Sequence, residues 1–98
     1  MNIPKAIKIG GYEIKVEFAK HLMSKNEEFG NYEPVTQTIN IDIDNTPQQK
    51  EQTFLHELLE AIKAIYWLEI EHKDLNLLAT VLHQIIKDNP EIFTNSNE

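Results

Sequence analysis

The chain has 98 residues, 41% of them apolar and 26% charged, which predicts one folded domain over residues 1–98 and excludes a disordered segment. Its formal net charge is −7 and all nine basic residues are Lys. With an acidic balance and no guanidinium fork for bidentate recognition, no nucleic acid and no membrane surface is expected as a partner. Cysteine is absent, so any metal site must use His and carboxylates. Residues 1–11 hold no apolar run of signal-peptide length, and no later stretch approaches a membrane span. The expected location is cytoplasmic.

In chain order, Ile7 and Ile9 alternate with Lys8, and Gly10-Gly11 follows. Tyr12, Ile14, Val16 and Phe18 then alternate with Glu13, Lys15 and Glu17. Period-two alternation across a Gly-Gly pair predicts a β-hairpin with one buried face. Residues 19–28 are polar and irregular, a loop or one short helical turn, with His21 solvated. Phe29 to Tyr32 predicts a short strand with Gly30 at a bend. After Pro34, Ile39, Ile41 and Ile43 share one strand face, and Asn40, Asp42 and Asp44 share a solvated one. Asp42 and Asp44 are two apart, as calcium-loop acids are, but no Gly and distal Glu complete that pattern. Three or four antiparallel strands are expected over about residues 5–44.

Thr46-Pro47 with Gln49 is a helix start: a cap, a proline at the first helical position and a capping-box partner. The helix is expected over about 47–67, with Leu55, Leu58, Leu59, Ile62, Ile65 and Tyr66 as its apolar stripe. His56, Glu60, Lys63 and Trp67 border that stripe on one side, at a groove margin and not in mid-core. Tyr66 and Trp67 read as packing residues. Asp74 can cap a second helix over about 74–88, ended by Asn89-Pro90. Leu75, Leu78, Ala79, Leu82, Ile85 and Ile86 form its buried side, and Asn76, Thr80, His83 and Lys87 the opposite one. Residues 94–98 form a frayed polar tail. The fold class is therefore α+β, a small antiparallel sheet packed on a two-helix hairpin.

The segment Thr53-Phe-Leu-His-Glu-Leu-Leu-Glu60 carries the candidate chemistry. Residues four apart on a helix are neighbours, so the His56 imidazole and the Glu60 carboxylate can converge on one ion. Glu57, one step round the turn, can accept a proton from water. This is the logic of the HExxH zinc helix with glutamate in place of the second histidine. The plain alternative is a helix-margin pair worth a few tenths of a kcal/mol, with Glu57 an ordinary solvent-facing residue. A third ligand must come from elsewhere. His72 lies in the turn between helices and reaches Glu60 if that turn folds back; His83 stands at about the height of His56 but on a face turned from the core. His72 is favoured because a turn adapts and a helix face does not. Such a set suits a divalent metal, zinc first, with iron or manganese as alternatives because a carboxylate is a harder ligand. The extra negative charge makes the ion a weaker Lewis acid.

The segments Gly-Asn-Tyr, Gln-Thr-Ile-Asn-Ile-Asp, Thr-Phe-Leu-His-Glu-Leu-Leu-Glu-Ala-Ile and Leu-His-Gln-Ile-Ile-Lys-Asp-Asn, in this order, resemble the small phage and prophage zincin-like proteins, minimal relatives of the ImmA/IrrE-type metallopeptidases. The resemblance spans about residues 7–89. It implies His56 as the first zinc ligand and Glu57 as general base. Glu60 stands where the family has its second histidine, and Asn76 best matches its acidic third ligand. Two function classes follow: a metal-dependent peptidase taking its substrate as an added strand on the sheet edge, or a catalytically inactive zincin-like module that binds a protein partner.

Overall fold

The computed structural model describes residues 1–20, 22 and 28–93. Most of the loop read at 19–28, His21 with it, and the tail 94–98 lie outside them. The described elements are β1 (Ala6–Ile9), β2 (Tyr12–Ala19), β3 (Gly30–Glu33), β4 (Thr38–Asp42), α1 (Pro47–Tyr66), α2 (His72–Asp88) and a 3-10 turn, Pro90–Phe93. This is the α+β arrangement, a four-stranded sheet followed by two helices.

β1 and β2 form the expected hairpin, with Ile7 opposite Ile14 and Ile9 opposite Tyr12. Its two-residue loop has φ of +52° at Gly10 and +87° at Gly11. Two successive positive φ values define the mirror-image turn that matches strand twist, and they favour glycine. Gly10 is constrained a second time, because a Cβ there would stand 2.5 Å from Tyr66 Oη at the end of α1.

β3 pairs with β4 antiparallel, Tyr32 opposite Ile39. The sheet order is β1-β2-β4-β3, and β4 runs parallel to β2 with Val16 opposite Ile39 and Phe18 opposite Ile41. The sheet is therefore mixed, not wholly antiparallel. After β2 the chain goes to the far edge, lays down β3, and returns through the hairpin to insert β4 in the middle. Alternation shows which side chains share a face, not which strand lies alongside.

Ile14, Val16, Ile39 and Ile41 form the core with Phe54 and Leu55 of α1 and Ala79 of α2. Ile43, expected on the same face, lies beyond β4 and is exposed. Asp42, expected to be solvated, is 2% exposed. Its Oδ1 accepts the Asp44 N–H at 2.9 Å and its carbonyl the Asn45 N–H at 3.2 Å. The aspartate thus closes the turn that redirects the chain from β4 into α1.

Thr46 Oγ1 accepts the Gln49 N–H at 3.1 Å, with Pro47 in the first turn of α1. The helix ends on Trp67 at φ +58°, where the Trp67 and Leu68 amides both turn back to the Lys63 carbonyl. Its most buried residues are Thr53, Phe54, Leu55, Glu57 and Ala61, while Leu58, Leu59, Ile62 and Ile65 are half-buried. The burial exceeds one apolar stripe because α1 packs against both α2 and the β3–β4 pair. Gly30 makes that approach possible: a Cβ would meet Thr53 Cγ2 at 2.5 Å and the Asn40 carbonyl at 2.6 Å. It sits in a strand pressed by a helix, not at a bend.

α2 begins at His72, two residues before the predicted cap; Asp74 lies in its first turn, where its charge complements the helix dipole. Leu75, Ala79 and His83 are its buried row, whereas Leu78 and Ile85 are exposed. His83, expected to face away from the core, is 3% exposed, with Nε2 2.8 Å from Glu51 Oε1. Glu51 Oε2 is also 3.5 Å from the N-terminal ammonium. Burial pushes the Glu51 carboxyl up, but the His83 hydrogen bond and the ammonium outweigh it and hold it below its ordinary value. A polar partner on α1 thus draws in a row that hydropathy alone turns outward. Among the described residues, no helix is long and apolar enough to cross a membrane.

Candidate metal centre

The i, i+4 spacing on α1 sets His56 Nε2 3.5 Å from Glu60 Oε2. The short α1–α2 connection then folds back, so that His72, first residue of α2, places Nδ1 3.3 Å from the same oxygen. The two imidazoles meet edge to face with centroids 5.0 Å apart. One ligand atom from each of His56, Glu60 and His72 lies within 4.8 Å of the others, so the group could hold a metal ion. Tetrahedral ligands at about 2.0–2.1 Å from a zinc stand about 3.3–3.4 Å apart, and both distances to Glu60 Oε2 are close to that spacing. His56 and Glu60 are largely covered, while the His72 side chain is 73% exposed and forms the open side.

The same helix puts Glu57 inward. It is 8% exposed, not solvent-facing. Burial, then the neighbouring Glu60 and Glu28 carboxylates, push its pKa up to about 7. Burial, with His72 acting in the same direction, lowers the pKa of His56 against the opposing pull of Glu60 and Asn76. His56 is consequently held in its neutral, ligand-competent form at neutral pH. Its Nδ1 is buried with no hydrogen-bond partner among the described residues. Histidine ligands ordinarily donate that second N–H to an acceptor, a support that none of the described residues gives Nδ1.

His56, Glu57, Glu60 and His72 line one groove of about 790 Å³. Gly30, Asn31 and Tyr32 of β3 form the facing wall, and Asn76 and Thr80 of α2 close one side. β3 is an edge strand, with no strand neighbour on its outer side among the described residues. Asn31 donates to Glu28 Oε1 at 2.8 Å and accepts from Asn40 Nδ2 at 3.1 Å, which ties this wall to the sheet. His83 pairs with Glu51 and is not part of the groove lining. Asn76, a neutral amide, adds no anionic ligand.

Two features of the site were not read from the sequence: the burial of Glu57 and the participation of Glu28. Trp67 is 89% exposed and is not the packing residue expected, whereas Tyr66, although 55% exposed, sets its ring end against Gly10 of the hairpin turn. The helix row that sets Trp67 seven residues beyond Glu60 on the same side places it at the groove margin, as expected. Comparison of the chain with protein-family models, with curated proteins and with solved structures found no match in any of the three.

Proposed function

We propose that the chain is a zincin-like protein of the phage and prophage type, holding a divalent ion, zinc foremost, on His56, Glu60 and His72, and cleaving peptides in the adjoining groove. The observation that carries this reading is the convergence of those three side chains beside a buried glutamate in a groove walled by an edge strand. When bound, the ion would supply Lewis acidity toward a carbonyl and toward water. Glu57 accepts the proton from the attacking water and returns it to the leaving amine. Burial, with Glu60 and Glu28 nearby, raises its pKa in the metal-free protein, which strengthens Glu57 as a base. The outer edge of β3 takes the substrate as an extended strand, through main-chain hydrogen bonds that hold the peptide beside Glu57.

The non-catalytic alternative is favoured by one feature, a buried His56 Nδ1 with no acceptor among the described residues. A ligand without its outer partner binds metal about 10–100-fold more weakly, which suits a protein-binding module better than a committed hydrolase. Metal content of tag-free protein, measured by mass spectrometry after incubation with zinc, iron or manganese, tests the site. Near-stoichiometric metal that is lost in His56→Ala, Glu60→Gln and His72→Ala supports it. No uptake of any of the three metals refutes it. Peptide cleavage abolished by Glu57→Gln, with metal retained, then separates the peptidase from the binding module.

A further inference from the structure

Trp67 is the single tryptophan of the chain. It stands with φ of +58°, a left-handed conformation that bulky side chains rarely adopt, and with an indole 89% exposed at the groove rim. Either feature alone is unfavourable. A helix ending in the left-handed region is served by glycine, and an apolar ring in water gains nothing from burial. Local strain of this kind persists at binding sites, where the position serves a ligand.

The surroundings say what the ring meets. Trp67 follows Glu60 by seven residues, about 10 Å along α1, the span of about three extended residues. Within the groove lining, the carboxylates of Glu28 and Glu60 outnumber the one ammonium, Lys63. The chain as a whole carries −7. An indole face beside excess negative charge attracts a cation, through the ring quadrupole and through the field of the groove.

We infer that Trp67 is a recognition platform for a basic side chain, and that the groove selects extended peptides carrying Lys or Arg two to three residues from the metal centre. This rests on the peptide-groove reading above and names its substrate class. The indole face stacks on the ammonium or guanidinium, and the β3 edge holds the main chain. Trp67 sets specificity and takes no part in proton transfer.

The test is peptide binding in the presence of a chelator, so that it does not depend on metal loading, which is measured separately on the same preparation. Blocked, tryptophan-free pentapeptides with a central Lys, Leu or Glu are titrated, following Trp67 emission in the wild type and anisotropy of fluorescein-labelled peptide in all variants. The Lys peptide should shift or quench Trp67 emission, bind roughly tenfold tighter than the Leu or Glu peptide, and weaken as salt rises. Trp67→Gly should weaken Lys-peptide binding about three- to thirtyfold, the range of a cation–π contact. Its melting temperature should stay level or rise by a few degrees as the left-handed strain is relieved, while Trp67→Phe should retain most of the binding. Unchanged affinity in Trp67→Gly, equal binding of the Leu and Lys peptides, no emission change, or a marked fall in the melting temperature of Trp67→Gly overturns the inference. Failure here with intact metal uptake leaves the metal centre standing, and peptide binding without metal uptake leaves the platform standing.

Discussion

Replacing Glu57 by Gln in metal-free protein should make the protein more stable, and increasingly so as the pH rises. The Glu57 carboxyl has its pKa raised from 4.5 to about 7, chiefly by burial. The folded state therefore binds a proton more tightly than the unfolded state. A raised acid pKa means that stability falls as pH climbs from the unfolded value toward the folded one and levels off above it. Between pH 5 and pH 8 this loss amounts to about 2–3 kcal/mol, from the roughly 1.4 kcal/mol per pKa unit over the part of the shift that titrates in that window. Glutamine keeps the shape and cannot ionise. Urea unfolding at pH 5 and pH 8 with a chelator present should therefore show the wild type losing about 2–3 kcal/mol more than Glu57→Gln. His56, whose lowered pKa acts in the opposite sense, is common to both proteins and cancels in the comparison. Parallel pH profiles for the two proteins would mean that Glu57 is ionised at no cost, and would refute the account of a buried, proton-holding glutamate.

Zinc at a hundred times its dissociation constant should stabilise the wild type by about 2.7 kcal/mol, read as a thermal shift, and His72→Ala should remove most of that shift. Gly30→Ala should destabilise by about 1–3 kcal/mol, because the new methyl meets both Thr53 Cγ2 and the Asn40 carbonyl. Adding Thr53→Ala should recover only part of it, since the backbone contact remains. His83→Ala should cost about 2–4 kcal/mol, from a cavity and a broken buried hydrogen bond. Zinc uptake should be unchanged in that variant, since His83 pairs with Glu51 outside the groove lining; reduced uptake at equal foldedness would place His83 in the metal site.

The sequence by itself determined the elements whose causes are local. The Gly10-Gly11 turn, the Thr46-Pro47 helix start and the period-two runs through Ile14 and Ile41 all depend on residues a few positions apart. So does the His56–Glu60 pair, which helical spacing alone brings together, and His72 could be named because it follows the short turn after the helix that carries Glu60. Tertiary structure decided the rest, because it depends on which elements become neighbours. The insertion of β4 between β2 and β3 made the sheet mixed and left β3 on the edge of the groove. The double flanking of α1 buried Glu57, and the pairing with Glu51 drew His83 inward. Trp67 was left exposed because α1 ends in a left-handed turn at the groove rim. Each of these is a balance of desolvation against a partner that is distant in the chain, and periodicity carries no information about a partner's position in space.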